Sequence, residues 1–113
     1  MCIRDRLIAT VPSAVTDDEF SALAHDLTVQ AGTLRAAGVI IDVSAIDVLD
    51  SFACRMLQSI SQMTQLRGAT TVVVGIQPDV AFAMVQLGLT LDGVATAHDL
   101  DDGMVFAAAG GRG

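Results

Sequence analysis

Ser51 follows Asp47 and Asp50 at the point where a loop gives way to a helical repeat, and its type and place could both do chemistry. A serine there can cap the helix, because its hydroxyl accepts a hydrogen bond from a first-turn amide. The same place favours a phosphate: free amides and the positive end of the helix dipole stabilise negative charge by about 0.3 to 1 kcal/mol at exposed sites. A phosphoserine would add about −1.5 to −2 charges to a loop that already carries two carboxylates. Repulsion then opposes the gain from the dipole. A modification that leaves the fold near neutral and rewrites the surface potential suits switching a partner on or off.

The other reactive side chains converge less well. His25 stands on a predicted helix, off its apolar stripe, and His98 follows a short strand, so both read as solvated histidines with no partner in sequence. Cys2 and Cys54 lack metal or redox spacing, and Cys54 falls within a helical pattern where a small buried thiol is common. Asp42, Asp47 and Asp50 lie at a strand end and in the loop after it, where open parallel sheets place ligands. Solvated loop acids are favoured there over a bound metal. The phosphate-binding and dinucleotide-binding glycine motifs are absent, as is any Cys/His cluster. The expectation is therefore no catalytic residue, no metal and no cofactor.

With 113 residues there is room for one domain and one core. Hydrophobic residues make up 52% and aromatics 4%, so the core must be built from aliphatic side chains, as in a buried sheet covered by helices. Thirteen acids against six bases give a net charge of −7 and a pI near 4.3, which argues against nucleic acid or an anionic membrane as partner. No run approaches the ~18 apolar residues of a membrane span, and no signal peptide opens the chain. The mean hydropathy of +0.58 then points to a dense core with some adhesive surface.

The elements that must position Ser51 follow from periodicity. Residues 7–11 read as an edge or early strand stopped by Pro12. A capping signal at Thr16 opens a helix with Phe20, Leu23, Leu27 and Leu34 on one stripe, running to about residue 36 or 37 and stopped by Gly38. Val39-Ile40-Ile41 ending at Asp42, and Thr70-Thr71-Val72-Val73-Val74 ending at Gly75, read as strands buried on both faces. Between them a helix from Ser51 to about Leu66 repeats Phe52, Met56, Ile60 and Met63, and Gly68 breaks it. Pro78 opens a further helix with Val80, Met84 and Leu87 on its stripe, Phe82 and Val85 facing outward, and Gly88 as its cap. A short strand at 94–96 and a last helix from Asp99 complete the pattern. Helices must carry the chain back between parallel strands, so the fold class is α/β, with about four strands in a mostly parallel mixed sheet.

These residues resemble the STAS-domain family of anti-sigma-factor antagonists, and within it the short stressosome scaffold proteins of the RsbS type. The resemblance runs from about Leu7 to Phe106. It is densest in Gly38-Val39-Ile40-Ile41-Asp42, in Asp50-Ser51-Phe52 with Arg55 and Leu57, in residues 68–75 with Pro78, and in residues 87–91 with Gly93-Val94. It implies a single STAS domain over about 7–109, with a flexible tail at 110–113. It also implies a cytoplasmic, non-enzymatic signalling role with paralogous STAS sensor-scaffold proteins in a homo- or hetero-oligomer. A switch serine kinase of the histidine-kinase-like ATPase fold would be held by the unmodified assembly and released when the serine of the Asp-Ser-Phe motif, here Ser51, is phosphorylated. Asp42, Asp47, Asp50 and Phe52 would join Ser51 in partner contact, and Phe82 with Val85 would lie at a scaffold contact. A free anti-sigma-factor antagonist and a small-ligand-binding STAS domain are the competing functions. Two features depart from the family pattern: Ala53-Cys54 stands where a glycine often precedes the arginine, and residues 1–6 do not look like the usual strand-forming opening.

Overall fold

A computed structural model describes residues 2–3, 6–89, 91 and 94–97. The elements in chain order are β1 (Cys2–Ile3), β2 (Arg6–Thr10), α1 (Asp17–Thr33), β3 (Gly38–Asp42), α2 (Ser51–Gln65), β4 (Thr70–Val74), α3 (Pro78–Leu87) and β5 (Ala95–Ala97). They form one five-stranded sheet in the order β1-β2-β3-β4-β5. β2 to β5 are parallel neighbours, and β1 pairs antiparallel with β2 through Cys2↔Leu7 and Ile3↔Arg6. The opening therefore does contribute a strand, and β2 lies inside the sheet and not at its edge.

Alternation along the strands sorts the core into two faces. Leu7, Val39, Ile41 and Val73 pack with residues of all three helices, among them Phe20, Leu27, Leu57, Ile60, Val80 and Met84. Ile8, Ile40, Val72 and Val74 form a smaller cluster on the opposite face, with Ala95 and Ala97 against it. Each fully buried Ile or Leu contributes about 1.5–3 kcal/mol relative to exposure, so the continuous apolar runs of β3 and β4 hold the centre of the molecule.

Local chemistry sets most helix ends. Thr16 and Glu19 form a capping box, each side chain meeting the other's backbone amide at 3.1 Å. Pro78 takes the first turn of α3, and Gly88 closes that helix at φ 70°. Helix α1 stops earlier than its sequence pattern indicates: Leu34 is the C-cap, Arg35 takes the left-handed conformation at φ 51°, and Gly38 begins β3. Leu34, expected on the core stripe, thus lies beyond the helix and is 50% exposed.

The buried face of α2 is also rotated from the expected stripe. Ala53, Cys54, Leu57, Ile60, Ser61 and Thr64 face the core, while Phe52 and Met56 are half-buried and Met63 is exposed. Met56 instead receives the Ser21 hydroxyl at 3.8 Å on the seam with α1. In α3 only Val80 and Met84 are buried, and Leu87 at the helix end is 69% exposed. The predicted last helix from Asp99, His98 and the tail at 110–113 lie outside the described residues.

Candidate functional site

The carboxyl ends of β2, β3 and β4 carry the loop that leads to Ser51. Backbone bonds continue past the strands, from the Val11 amide to the Asp42 carbonyl at 2.9 Å and from the Val43 amide to the Val74 carbonyl at 3.0 Å. Asp42 Oδ1 accepts the Ser44 amide at 2.9 Å, a side-chain mimic of a backbone turn, and the Ile46 amide closes a turn on the Val43 carbonyl at 3.0 Å. Val43, Ile46 and Leu49 are buried, so the alternation seen in the sequence anchors three points of the loop. Between those anchors it displays Asp47 and Val48, the latter 72% exposed.

At the end of the loop the chain enters α2 one residue earlier than a serine cap would require. The N-cap is Asp50, with φ −83° and ψ 179°, and its Oδ1 accepts the Ala53 amide at 2.8 Å. Ser51 is the first helical residue, and its side chain is exposed. Its hydroxyl makes no hydrogen bond among the described residues. Asp and Ser are comparable caps, so the sequence alone leaves the choice between them open. The capping role expected of Ser51 belongs to Asp50.

Beside this helix start lies a notch of about 80 Å³, lined by Val15, Asp17, Ile46, Val48, Asp50 and Phe52 among others. Its lining mixes apolar side chains with the carboxylates of Asp17 and Asp50. Of the sequence-predicted partner residues, Asp50 and Phe52 line this notch, while Asp47 and Ser51 are exposed next to lining residues in the chain. Asp42 sits at the base of the loop, engaged with Ser44. Phe82 and Val85 lie elsewhere, 65% and 78% exposed on α3.

His25 is exposed on α1, and His98 is outside the described residues. Cys54 is 3% exposed; burial first, and then the Asp50 carboxylate, push its thiol up from the ordinary value. Such a thiol is a packed core group and a poor nucleophile. Among the described residues no three His, Cys, Asp or Glu side chains gather to hold a metal, and no helix is long and apolar enough to cross a membrane.

Two residues of the β4–α3 connection escape sequence reasoning. Gly75, at φ 80°, lets that connection approach the loop so closely that a Cβ there would sit 2.9 Å from the Ser44 Cβ. Gln77 donates from Nε2 to the Ser44 carbonyl at 2.7 Å and to the Ile46 carbonyl at 3.3 Å. The usable signal for Gln77 is its place before Pro78. It is the N-cap position by geometry, glutamine is not among the favoured caps, and its carboxamide is free to reach elsewhere.

The arrangement is an α/β domain in which the β3–α2 loop leads to an exposed serine in the first turn of a helix, beside the carboxylates of Asp47 and Asp50. The STAS domain signature matches residues 3–102, and the chain belongs to that family. It is similar to the RsbT co-antagonist protein RsbRA of Bacillus subtilis (strain 168), 32% identical over 73 residues that cover 65% of this chain and 27% of RsbRA. The match thus spans about a quarter of the length of RsbRA and of the two further RsbT co-antagonist relatives, RsbRD and RsbRC. Among solved structures, a serine-to-glutamate variant of RsbS from Moorella thermoacetica superposes with a TM-score of 0.81 at 29% identity, over 96% of this chain and 92% of that one. A chain of the stressosome, a signal integration and transduction hub, gives 0.71 at 32% identity, over 100% of this chain and 98% of that one.

Proposed function

We propose that this chain is a non-enzymatic, phosphorylatable regulator in a partner-switching stress-signalling pathway, and that Ser51 is the residue modified. The observation that carries the proposal is the division of labour at the start of α2: Asp50 caps the helix and leaves the Ser51 hydroxyl exposed at its positive end. In the unmodified state the surface formed by Asp47, Asp50, Ser51 and Phe52, with Asp42 setting the loop behind it, holds a switch serine kinase of the histidine-kinase-like ATPase fold. Phosphorylation adds about −1.5 to −2 charges beside two carboxylates, and the altered potential releases the kinase.

The chain acts as a scaffold subunit with paralogous STAS proteins, in the cytoplasm. The names of the Bacillus relatives, co-antagonists of RsbT, and the likeness to a stressosome chain favour this over a free anti-sigma-factor antagonist. The notch of about 80 Å³ is small beside the ~300–1000 Å³ of typical small-molecule sites, which ranks ligand binding at the start of α2 lower. Phe82 and Val85 supply a scaffold contact, since outward apolar side chains on one helix are costly to leave in water and suited to burial against a neighbour.

The test is binding of the cognate kinase to the wild-type chain and to Ser51→Glu. Binding to the wild type that falls at least tenfold in the variant is expected. Equal binding to both would contradict release by charge.

A further inference from the structure

We propose that Gln77 is a positioning residue for Ser51: from the β4–α3 connection its carboxamide clamps the loop that presents the serine to its partner. The inference rests on the reading of Ser51 as the modified residue, and deepens it.

Three observations carry it. The Gln77 side chain faces two carbonyl oxygens, those of Ser44 and Ile46, at 2.7 and 3.3 Å. Both are acceptors, so only the NH2 end of the amide fits there, and its two hydrogens match two acceptors. Second, Gln77 occupies the N-cap position of α3 and makes no side-chain cap bond, so its polar group serves the loop and not its own helix. Third, Gly75 brings the two segments into contact, with Ser44 Cβ and Asp42 Oδ1 at 2.9 and 3.1 Å from where a Cβ would stand.

The clamped carbonyls belong to the turn whose amides are held from the other side, Ser44 by Asp42 and Ile46 by Val43. The first half of the loop is therefore fixed at both its donors and its acceptors. The second half, which displays Asp47 and Val48 and ends at Ser51, is held through the buried Ile46 and Leu49. Releasing the Ile46 carbonyl loosens the anchor from which Asp47 and Val48 project, while Asp50 still caps α2 and keeps Ser51 in the helix. Loss of Gln77 should thus weaken recognition of the loop and spare the reactivity of the hydroxyl.

The test compares the full chain with Gln77→Met, which keeps the length and removes both donors, in two measurements. Amide hydrogen exchange at Ser44 and Ile46, whose own bonds to Asp42 and Val43 must open as the loop moves, reads the clamp's hold on the loop without any kinase. Steady-state phosphorylation by the cognate kinase, with the chain as varied substrate and ATP saturating, reads presentation. Exchange at both amides should quicken about two- to tenfold, the factor that corresponds to one net hydrogen bond, and KM should rise by a similar factor with kcat within about twofold. Should Gln77→Met fail to fold, Gln77→Asn, one methylene too short, carries the same prediction. Unchanged exchange overturns the clamp, and faster exchange with unchanged KM overturns the positioning role. A wild-type chain that takes up no phosphate overturns the reading of Ser51, and with it the positioning role, while exchange still decides whether Gln77 holds the loop.

Discussion

Asp50 Oδ1 accepts the Ala53 amide at 2.8 Å, and this contact separates the two roles that the sequence offers to Ser51. A serine that capped its own helix would have its hydroxyl tied to the backbone and its modification would break the cap. With Asp50 in that position, Ser51 can change without unravelling α2. Asp50→Ala should therefore destabilise the fold by about 0.5–2 kcal/mol, while Ser51→Ala should stay within about 0.5 kcal/mol of wild type. Urea unfolding of the two variants decides it; a larger loss for Ser51→Ala would return the cap to the serine.

Inside the core, the Thr64 and Thr71 hydroxyls lie 2.6 Å apart, and Thr64 also bonds the Ile60 carbonyl at 2.8 Å. A hydroxyl has one proton, so Thr64 donates to Ile60 and Thr71 donates to Thr64. Thr64→Val strands the buried Thr71 donor and should cost about 1–3 kcal/mol, Thr71→Val less, and the double variant less than the sum. A double-mutant cycle with additive losses would contradict this coupling. Thr71 is also too deeply buried to serve as a second phosphate acceptor.

Much of this arrangement is legible in the sequence where one force dominates. β3 and β4 follow from unbroken runs of branched aliphatic residues, and α3 from Pro78 at its start and Gly88 at its end. Where small residues form the core the pattern misleads. Cys54, Ser61 and Thr64 share the buried face of α2 with Leu57 and Ile60, whereas the larger Phe52 and Met56 lie at its margin and draw the predicted stripe round the helix. The end of α1 is hidden for another reason: Arg35 takes the left-handed turn that a glycine would announce. Gln77 is a long-range contact between two loops, and no local spacing encodes it.

Among the described residues, Glu19 and Cys54 contribute a pH dependence to stability. The Thr16 amide, and then its hydroxyl, hold the Glu19 carboxyl below its ordinary value. A depressed acid means that the unfolded chain binds more protons, so this contribution is complete above about pH 4.3 and is lost as pH falls through the folded pKa. Cys54 has the opposite sign: its raised thiol contributes fully below about pH 8.5, and that stability declines as pH rises from there toward the folded pKa. Glu19→Gln keeps the capping box without the titration, so its stability relative to wild type should be flat above pH 5 and improve in acid. A difference independent of pH would contradict the assignment.

Phe82 and Val85 contribute little to the isolated domain at their exposure, so Phe82→Ser with Val85→Ser should leave the melting temperature within a few degrees. In the proposed scaffold they are buried, and the double variant should shift the sedimentation profile toward smaller species when mixed with a paralogous STAS partner. An unchanged profile would place the scaffold contact elsewhere.

The most direct measurement is incubation of the chain with its cognate switch kinase and ATP, followed by peptide mapping of the phosphate on wild type and on Ser51→Ala. The account predicts phosphate confined to the peptide containing Ser51 and absent from the variant. Phosphate on another peptide would contradict it, and a chain that binds the kinase and stays unmodified would leave the protein a passive scaffold.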